Sequence, residues 1–204
     1  MKKGRIFTVG HSTHSIERFT SLLRRYGVTA VADVRSSPRS RINPQYNREV
    51  LKWSLREQGV EYVFLGDELG ARPADRACYV NGEARYDLIS KTEKFKSGLD
   101  RIREGSGKFD VALMCAEQDP ITCHRTILVC RHLEEYDIRH ILPNGSIESH
   151  GDAMLRLVRE LSGKNNIDSA DAGLLSAAYD VQAKTISYKE SRIEHDSGII
   201  GELL

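Results

Sequence analysis

Apolar and polar positions follow a repeating order along the first 142 residues of the chain. Short apolar runs, several of them β-branched, predict strands, and they lie at 5–10, 29–35, 60–65, 108–115 and 138–142. Between the runs, apolar residues recur every three or four positions, which predicts helices over 15–27, 47–59, 86–103 and 120–136. Loops are predicted where the chain is polar and irregular, at 36–46 and 66–86.

Start and stop signals support the helices. Ser15 and Asn47 precede apolar-periodic segments as N-caps, and Gly27 and Gly59 end them. The helix at 120–136 has the strongest start, because Asp119 is a good cap and the next residue is proline, whose fixed φ suits the first helical position.

Strand and helix alternate four times, which predicts right-handed crossovers and an α/β fold. We expect an open, mostly parallel sheet with helices on both faces, a Rossmann-like or flavodoxin-like three-layer arrangement, within a domain at 1–150. The order of the strands cannot be predicted from the pattern.

The remainder, 151–204, has a different character. An apolar stripe predicts a helix at 151–161, and after Gly163 the chain becomes polar and weakly periodic, with a second helix near 168–183. We expect a C-terminal helical arm, extended or partly mobile, and a candidate for homodimer contacts.

Composition narrows the class of protein. The chain has 204 residues, with 30 Lys and Arg against 29 Asp and Glu, so no global field attracts nucleic acid or a membrane. No apolar run approaches the roughly 20 residues of a membrane helix. The four cysteines and the start MKKGRIFTVG, which lacks the apolar core of an export signal, predict reduced thiols and a cytoplasmic protein that is not membrane-bound.

Reactive side chains cluster after the predicted strands. In parallel α/β sheets ligands bind outside the carboxyl ends of the strands, so these side chains predict a site there. Our candidate catalytic residues are His11, Asp33, Glu117 and Cys123. Candidate substrate-binding residues are Ser12, Arg35, Arg39, Arg41, Glu68, His124 and Arg125.

The stretch MCAEQDPITCHR, from Met114 to Arg125, leaves several interpretations open. Cys123 near a helix start is a candidate thiolate, because the helix dipole and two basic neighbours lower a thiol pKa. Buried structural sulfur is the alternative for Cys115 and Cys123, as it is for most free cysteines. No metal ligands and no cofactor are assigned, because consecutive residues Cys123 and His124 on a helix point about 100° apart.

Three motifs, VGHST, ADVRSSPRSR and LMCAEQDPITCHR followed by RHIL, resemble the family catalogued as domain of unknown function 488. The resemblance covers about residues 5–142. It implies a shared fold and a shared site, and it brings no activity with it.

The sequence therefore leads us to expect an enzyme, a hydrolase or transferase, acting on an anionic, nucleotide-like or phosphorylated small molecule. One alternative is a nucleic-acid-binding or accessory protein that uses the Arg-rich loop 35–48 with Tyr46. A second alternative is a thiol redox or metal protein.

Overall fold

The computed structural model describes residues 4–164 and 166–190. Its strands are β1 Arg5–Gly10, β2 Ala30–Asp33, β3 Glu61–Phe64, β4 Tyr79–Val80, β5 Glu83–Ala84, β6 Val111–Cys115, β7 Asp137–Ile141 and β8 Ile147–Ser149. Its α-helices are α1 Ile16–Arg25, α2 Arg48–Arg56, α3 Gly66–Leu69, α4 Tyr86–Ile89, α5 Glu93–Ser106, α6 His150–Ser162 and α7 Ala172–Ile186.

Six strands form one sheet in the order β3-β2-β6-β1-β7-β8. The first five are parallel, and β8 runs antiparallel to β7 at one edge. The expected α/β fold with a mostly parallel sheet is confirmed. The order places β6 between β1 and β2, which differs from the two common doubly wound orders.

Each face of the sheet has its own apolar core, as a three-layer fold requires. On one face α1 and α2 pack on alternate residues of β1, such as Phe7 and Val9. On the other face α5, α6, α7 and the segment 120–133 pack on Ile6, Leu113 and Cys115. The near-continuous burial of β2 and β6 follows from this double coverage.

Two predicted helices are broken in the structure. The helix expected over 86–103 divides into α4 and α5, because the Thr92 side chain caps a new start by accepting from the Phe95 N–H. The helix expected over 120–136 is instead a 3₁₀ turn at Pro120–Thr122, a π-helical turn at Arg125–Val129 and a 3₁₀ turn at Cys130–His132. Asp119 caps the first of these turns, as predicted.

The polar segment 66–86 contains local structure that periodicity does not detect. It forms the short helix α3, a 3₁₀ turn at Arg76–Cys78 and the antiparallel pair β4 and β5. These elements are two to four residues long, which is too short for a repeat of apolar positions to identify.

The described part of the C-terminal arm packs against its own domain. Gln182 in α7 donates to the carbonyl oxygen of Ile121 at 2.8 Å, and the backbone of Lys189 pairs with that of Glu83 in an isolated antiparallel β-bridge. Residues 191–204 of the expected arm lie outside the described residues, so homodimer contacts through it stay a prediction. Within the described residues, no helix combines the length and the apolar character needed to cross a bilayer.

Candidate functional site

The carboxyl ends of β1 and β6 meet at one edge of the sheet. The His11 N–H donates to the Cys115 carbonyl oxygen at 2.9 Å, and the Ser12 N–H donates to that of Ala116 at 3.0 Å. A Cβ added to Gly10 would lie 1.9 Å from the carbonyl oxygen of Glu117, so only glycine permits this approach. The chain leaves β1 toward β2 but leaves β6 toward β7, in the opposite direction. Ligands of open α/β sheets bind outside the carboxyl ends of the strands, which is where these two ends meet.

A buried polar unit follows β2. Asp33, fully buried, accepts from Arg35 Nε at 2.9 Å and from Arg35 Nη2 at 2.7 Å, a bidentate pair. Tyr62 donates its hydroxyl to the same carboxylate at 2.8 Å. The Arg35 guanidinium also donates to the Tyr46 carbonyl oxygen at 2.8 Å. Asp33 and Arg35 therefore stabilise each other, and the guanidinium is directed inward.

His11 completes this unit as a neutral base. Its Nδ1 lies 2.8 Å from the Ser12 carbonyl oxygen, which only accepts, so Nδ1 carries the proton and Nε2 accepts from Arg35 Nη1 at 3.1 Å. The ring also stacks on Tyr46 with centroids 4.0 Å apart. Burial, helped by the charge of Arg35, lowers the pKa of His11 to about 4.

The second unit lies at the end of β6 and contains two thiols, an imidazole and a carboxylate. His124 Nδ1 lies 3.6 Å from Cys115 Sγ and 3.9 Å from Cys123 Sγ, and the Cys123 thiol donates to Glu117 Oε2 at 3.0 Å. One donor atom from each of the four residues falls within 4.8 Å of all the others. We call this set the Cys–His–Glu cluster. Cys115, Cys123 and His124 are buried, and Glu117 is exposed.

The expectation that Cys123 and His124 point apart is wrong. It assumed a continuous helix, whereas Cys123 has extended backbone, with φ −128° and ψ 139°, between the 3₁₀ turn and the π-helical turn. His124 then begins the π-helical turn with helical angles. This break brings both side chains to one point, and π-helical turns are frequent at functional sites.

A second hydrogen bond orients His124. Its Nε2 lies 2.9 Å from the carbonyl oxygen of Val34, so Nε2 carries a proton and Nδ1 faces the sulfurs. The Val34 carbonyl follows Asp33 directly, so this contact joins the two polar units across the ends of β2 and β6.

The two thiols of the cluster differ in acidity. Burial raises the pKa of the Cys115 thiol well above its usual range, and the neighbouring Cys123 adds to the effect. Burial also opposes ionisation of Cys123, but hydrogen bonding from Cys115 and the charges of Arg125 and His124 outweigh it, so its pKa falls well below the usual value. Cys123 is nevertheless 1% exposed, which restricts attack on an external substrate.

Arg125, a candidate substrate-binding residue, is fully buried beneath the cluster. Its hydrogen-bond partners are groups of the protein itself. The guanidinium donates to the Glu117 carbonyl oxygen at 2.7 Å and to that of Gln118 at 3.2 Å. Arg125 therefore holds the loop that carries Glu117.

Sequence reasoning missed a buried chain of polar side chains behind Arg125. Thr8 Oγ1 accepts from Arg125 Nε at 3.4 Å and lies 2.7 Å from His140 Nδ1. His140 Nε2 lies 3.1 Å from His150 Nδ1, and His150 Nε2 lies 2.7 Å from the Tyr179 hydroxyl in α7. The available signal was weak: Thr8 lies between apolar residues in RIFTVG, but His140 lies in DIRHI together with two other polar residues.

Other predicted site residues lie apart from the cluster. Glu68 forms an ion pair with Arg101 of α5. Ser12 lies half-buried at the rim in a left-handed conformation, with φ 49°. Arg39 and Arg41 are exposed in the loop after β2, and neither guanidinium makes a hydrogen bond or ion pair within residues 4–164 and 166–190.

Two cavities among the described residues do not include the cluster. One, of about 450 Å³, lies between α4, α7 and the segment 127–132. The other, of about 340 Å³, lies beside β3 and α5. Some charged side chains of the first are paired, such as Arg131 with Asp180 at 2.7 Å. We place the candidate functional site at the Cys–His–Glu cluster, because two thiols, an imidazole and a carboxylate converge there.

Fold and site together define an α/β protein with a thiol, imidazole and carboxylate cluster at the carboxyl edge of a mostly parallel sheet. The chain belongs to the family described as domain of unknown function DUF488, whose model matches residues 15–131. Neither curated proteins nor solved structures gave a significant match to the chain.

Proposed function

We propose that the chain is an enzyme, a hydrolase or transferase, that acts on an anionic, phosphorylated or nucleotide-like small molecule at the Cys–His–Glu cluster. The observation that carries the proposal is the contact between an exposed carboxylate, Glu117, and a buried reactive set, Cys123 with His124. A cluster of this kind at the carboxyl edge of a parallel sheet is typical of catalysis rather than of packing.

In this proposal Glu117 is the residue that donates and accepts protons during catalysis. It is the one exposed member of the cluster, and its loop is fixed from below by Arg125. His11 is a weaker candidate than the sequence suggested, because its Nε2 lone pair already accepts from Arg35. His11 and Asp33 then serve as positioning residues that hold Arg35 and the end of β2.

Arg39 and Arg41 supply the attraction for an anion. Their guanidinium groups are exposed, and the loop that carries them starts at Arg35, one residue after the carbonyl that His124 contacts. Arginine presents a planar fork of donors that matches phosphate and carboxylate oxygens.

A substrate panel tests the proposal. Phosphate monoesters, nucleoside mono-, di- and triphosphates and sugar phosphates are incubated with the purified chain, and products are identified by mass spectrometry. We expect turnover of at least one compound and a loss of about 100-fold or more in kcat for Glu117→Gln, the usual size of a general acid–base contribution. Glu57→Gln, which changes an exposed carboxylate at the end of α2, is the control.

A double variant separates binding from chemistry. Arg39→Ala with Arg41→Ala should raise KM and leave kcat nearly unchanged, while Arg56→Ala, an exposed arginine of α2, should change neither. If no anionic compound is turned over, or if Glu117→Gln retains full activity, the proposed function is wrong.

Nucleic-acid binding is a second candidate function. Tyr46, the aromatic residue expected to serve it, is fully buried and stacked on His11, so the exposed aromatic side chain that favours this function is Trp53. Trp53 is 59% exposed on α2, the helix that follows the loop of Arg39 and Arg41, and Ile42 in that loop is 86% exposed. Aromatic faces and arginines together bind single strands. Quenching of Trp53, the one tryptophan in the chain, by an oligonucleotide with a steep salt dependence would support this candidate.

A further inference from the structure

We propose that Cys115, Cys123 and His124 bind a thiophilic divalent cation, with zinc as the reference ion, and that Glu117 is a fourth ligand that exchanges with water. The proposal goes beyond the proposed function and needs no substrate to be tested. It rests on four features of the cluster: its spacing, the tautomer of its imidazole, its charge and its burial.

The spacing matches a tetrahedral site. Sulfur lies about 2.3 Å and nitrogen about 2.0 Å from zinc, so these two ligand atoms lie about 3.5 Å apart across a tetrahedral angle. The distances from His124 Nδ1 to the sulfurs of Cys115 and Cys123 are 3.6 Å and 3.9 Å. The 3.0 Å thiol–carboxylate hydrogen bond from Cys123 to Glu117 is shorter than such an edge, and a metal would replace its proton. All four donor atoms lie within 4.8 Å of one another.

The imidazole is oriented as metal ligands are. Metal-binding histidines nearly always donate their second ring nitrogen to a carbonyl or carboxylate, which fixes the tautomer. His124 Nε2 donates to the Val34 carbonyl oxygen at 2.9 Å and directs Nδ1 toward both sulfurs, where a bound cation would take the place of a proton on Nδ1.

Charge is balanced when the ion is bound. Two thiolates neutralise a divalent cation, each thiol that was neutral releasing its proton to solvent. The remaining charge of Glu117 is matched by the guanidinium of Arg125, which is fully buried beside the cluster. An ordinary apolar core does not bury an arginine next to two thiols, so the position of Arg125 favours a charged set of ligands.

The other two cysteines of the chain show the contrast. Cys78 and Cys130 are also buried, in the apolar core, and burial raises the pKa of each thiol. Among the described residues, the set at the end of β6 is the single group of three or more metal-ligating side chains with converging donor atoms. Cys78 and Cys130 therefore serve as matched controls.

The site has one side open to solvent. Three ligands are buried and the fourth, Glu117, is exposed. Catalytic zinc sites keep three protein ligands and one exchangeable position, and Cys₂His is one known set, whereas structural sites are closed. An exchangeable fourth position would give the cation a bound water with a lowered pKa, which Glu117 could then deprotonate.

Cobalt provides the first test. The chain is stripped with a chelator under reducing conditions, checked for retained folding, and titrated with Co²⁺. We expect a near-ultraviolet thiolate-to-cobalt charge-transfer band and intense visible bands of a tetrahedral ion that saturate at one equivalent, and Zn²⁺ should abolish both. The spectra require no substrate, so they succeed or fail independently of catalysis.

Variants assign the ligands. Cys115→Ser and Cys123→Ser should each weaken the charge-transfer band by about half or remove it, and His124→Ala should weaken binding by at least 100-fold. Cys78→Ser and Cys130→Ser should give the wild-type spectrum. Glu117→Gln should keep the charge-transfer band and weaken binding by about 10-fold, as loss of an exchangeable ligand implies.

X-ray absorption on the zinc-loaded wild-type chain keeps the test independent of variants that fail to fold. We expect two sulfur atoms at about 2.3 Å and nitrogen or oxygen at about 2.0 Å from the metal. A folded, reduced chain without a charge-transfer band would overturn the proposal, as would a band unchanged in Cys115→Ser and Cys123→Ser. A Cys115–Cys123 disulfide that cycles with thiol reagents while Co²⁺ and Zn²⁺ leave the chain unaffected would also overturn it, in favour of a redox pair.

Discussion

His11 accepts a hydrogen bond from Arg35 through Nε2, at 3.1 Å, while its Nδ1 donates to the Ser12 carbonyl oxygen. The imidazole is thus part of the support for the guanidinium that pairs with Asp33. His11→Ala leaves a buried Arg35 N–H without its acceptor and removes the stacking on Tyr46, so we expect a loss of about 1–3 kcal/mol in the free energy of unfolding.

Urea denaturation measures this loss for His11. Thr13→Ala, at an exposed position of the same loop, is the control and should change stability by less than about 0.5 kcal/mol. Equal stabilities of the two variants would show that the Arg35 contact contributes nothing.

The lowered pKa of His140 predicts how the free energy of unfolding depends on pH. Burial, with the neighbouring charges of His150, Arg125 and Arg156, lowers its pKa well below the usual value. Below pH 6.5 the unfolded state binds a proton that the folded state does not, so stability falls as the pH falls from 7 toward 5. Each such histidine contributes up to about 1.4 kcal/mol per pH unit.

The pH prediction for His140 is checked by urea denaturation at pH 7, 6 and 5. His11, whose pKa is lowered to about 4 by burial, contributes in the same direction over the same range. His140→Gln should have a flatter profile than the wild type, and an equally steep profile would place the titrating group elsewhere.

Replacing Arg125 should destabilise the protein strongly, because its charged side chain is fully buried. Arg125→Ala leaves the carbonyl oxygens of Glu117 and Gln118 without their donor and opens a cavity, so we expect a loss of at least about 3 kcal/mol. Arg131→Ala, which breaks a half-exposed ion pair with Asp180, should cost about 1 kcal/mol or less. The comparison fails if both variants melt at the same temperature.

The space around Gly10, where the ends of β1 and β6 meet, does not admit a side chain. A methyl group there would lie 1.9 Å from the Glu117 carbonyl oxygen, so Gly10→Ala must displace the loop that carries Glu117. We expect reduced stability together with weaker Co²⁺ binding. Gly105→Ala, in α5, is the matched control, because the nearest atom to its added Cβ belongs to Val111 and lies 4.0 Å away. That variant should be neutral or more stable by up to about 1 kcal/mol.

The periodicity of apolar residues determined most of the fold. All five predicted strands and the helices α1, α2 and α6 occur within a few residues of their expected bounds, because burial of one face is enforced along the whole element. The strand order, the edge strand β8 and the short elements at 66–86 depend on contacts between distant segments, and no local pattern encodes them.

The candidate site, like the fold, was predicted in part from the sequence and decided in part by the tertiary structure. The sequence by itself placed His11, Asp33 and Glu117 at the carboxyl ends of strands, because parallel connectivity carries all those ends to one edge, and it placed Cys123 near the start of the following helix. Only the tertiary structure decided which of the side chains meet. The extended backbone at Cys123 turned the thiol toward His124, and the ion pairs of Glu68 and Arg35 directed those residues elsewhere. Such choices depend on backbone angles and on competing partners across the fold, which a one-dimensional pattern of residues does not contain.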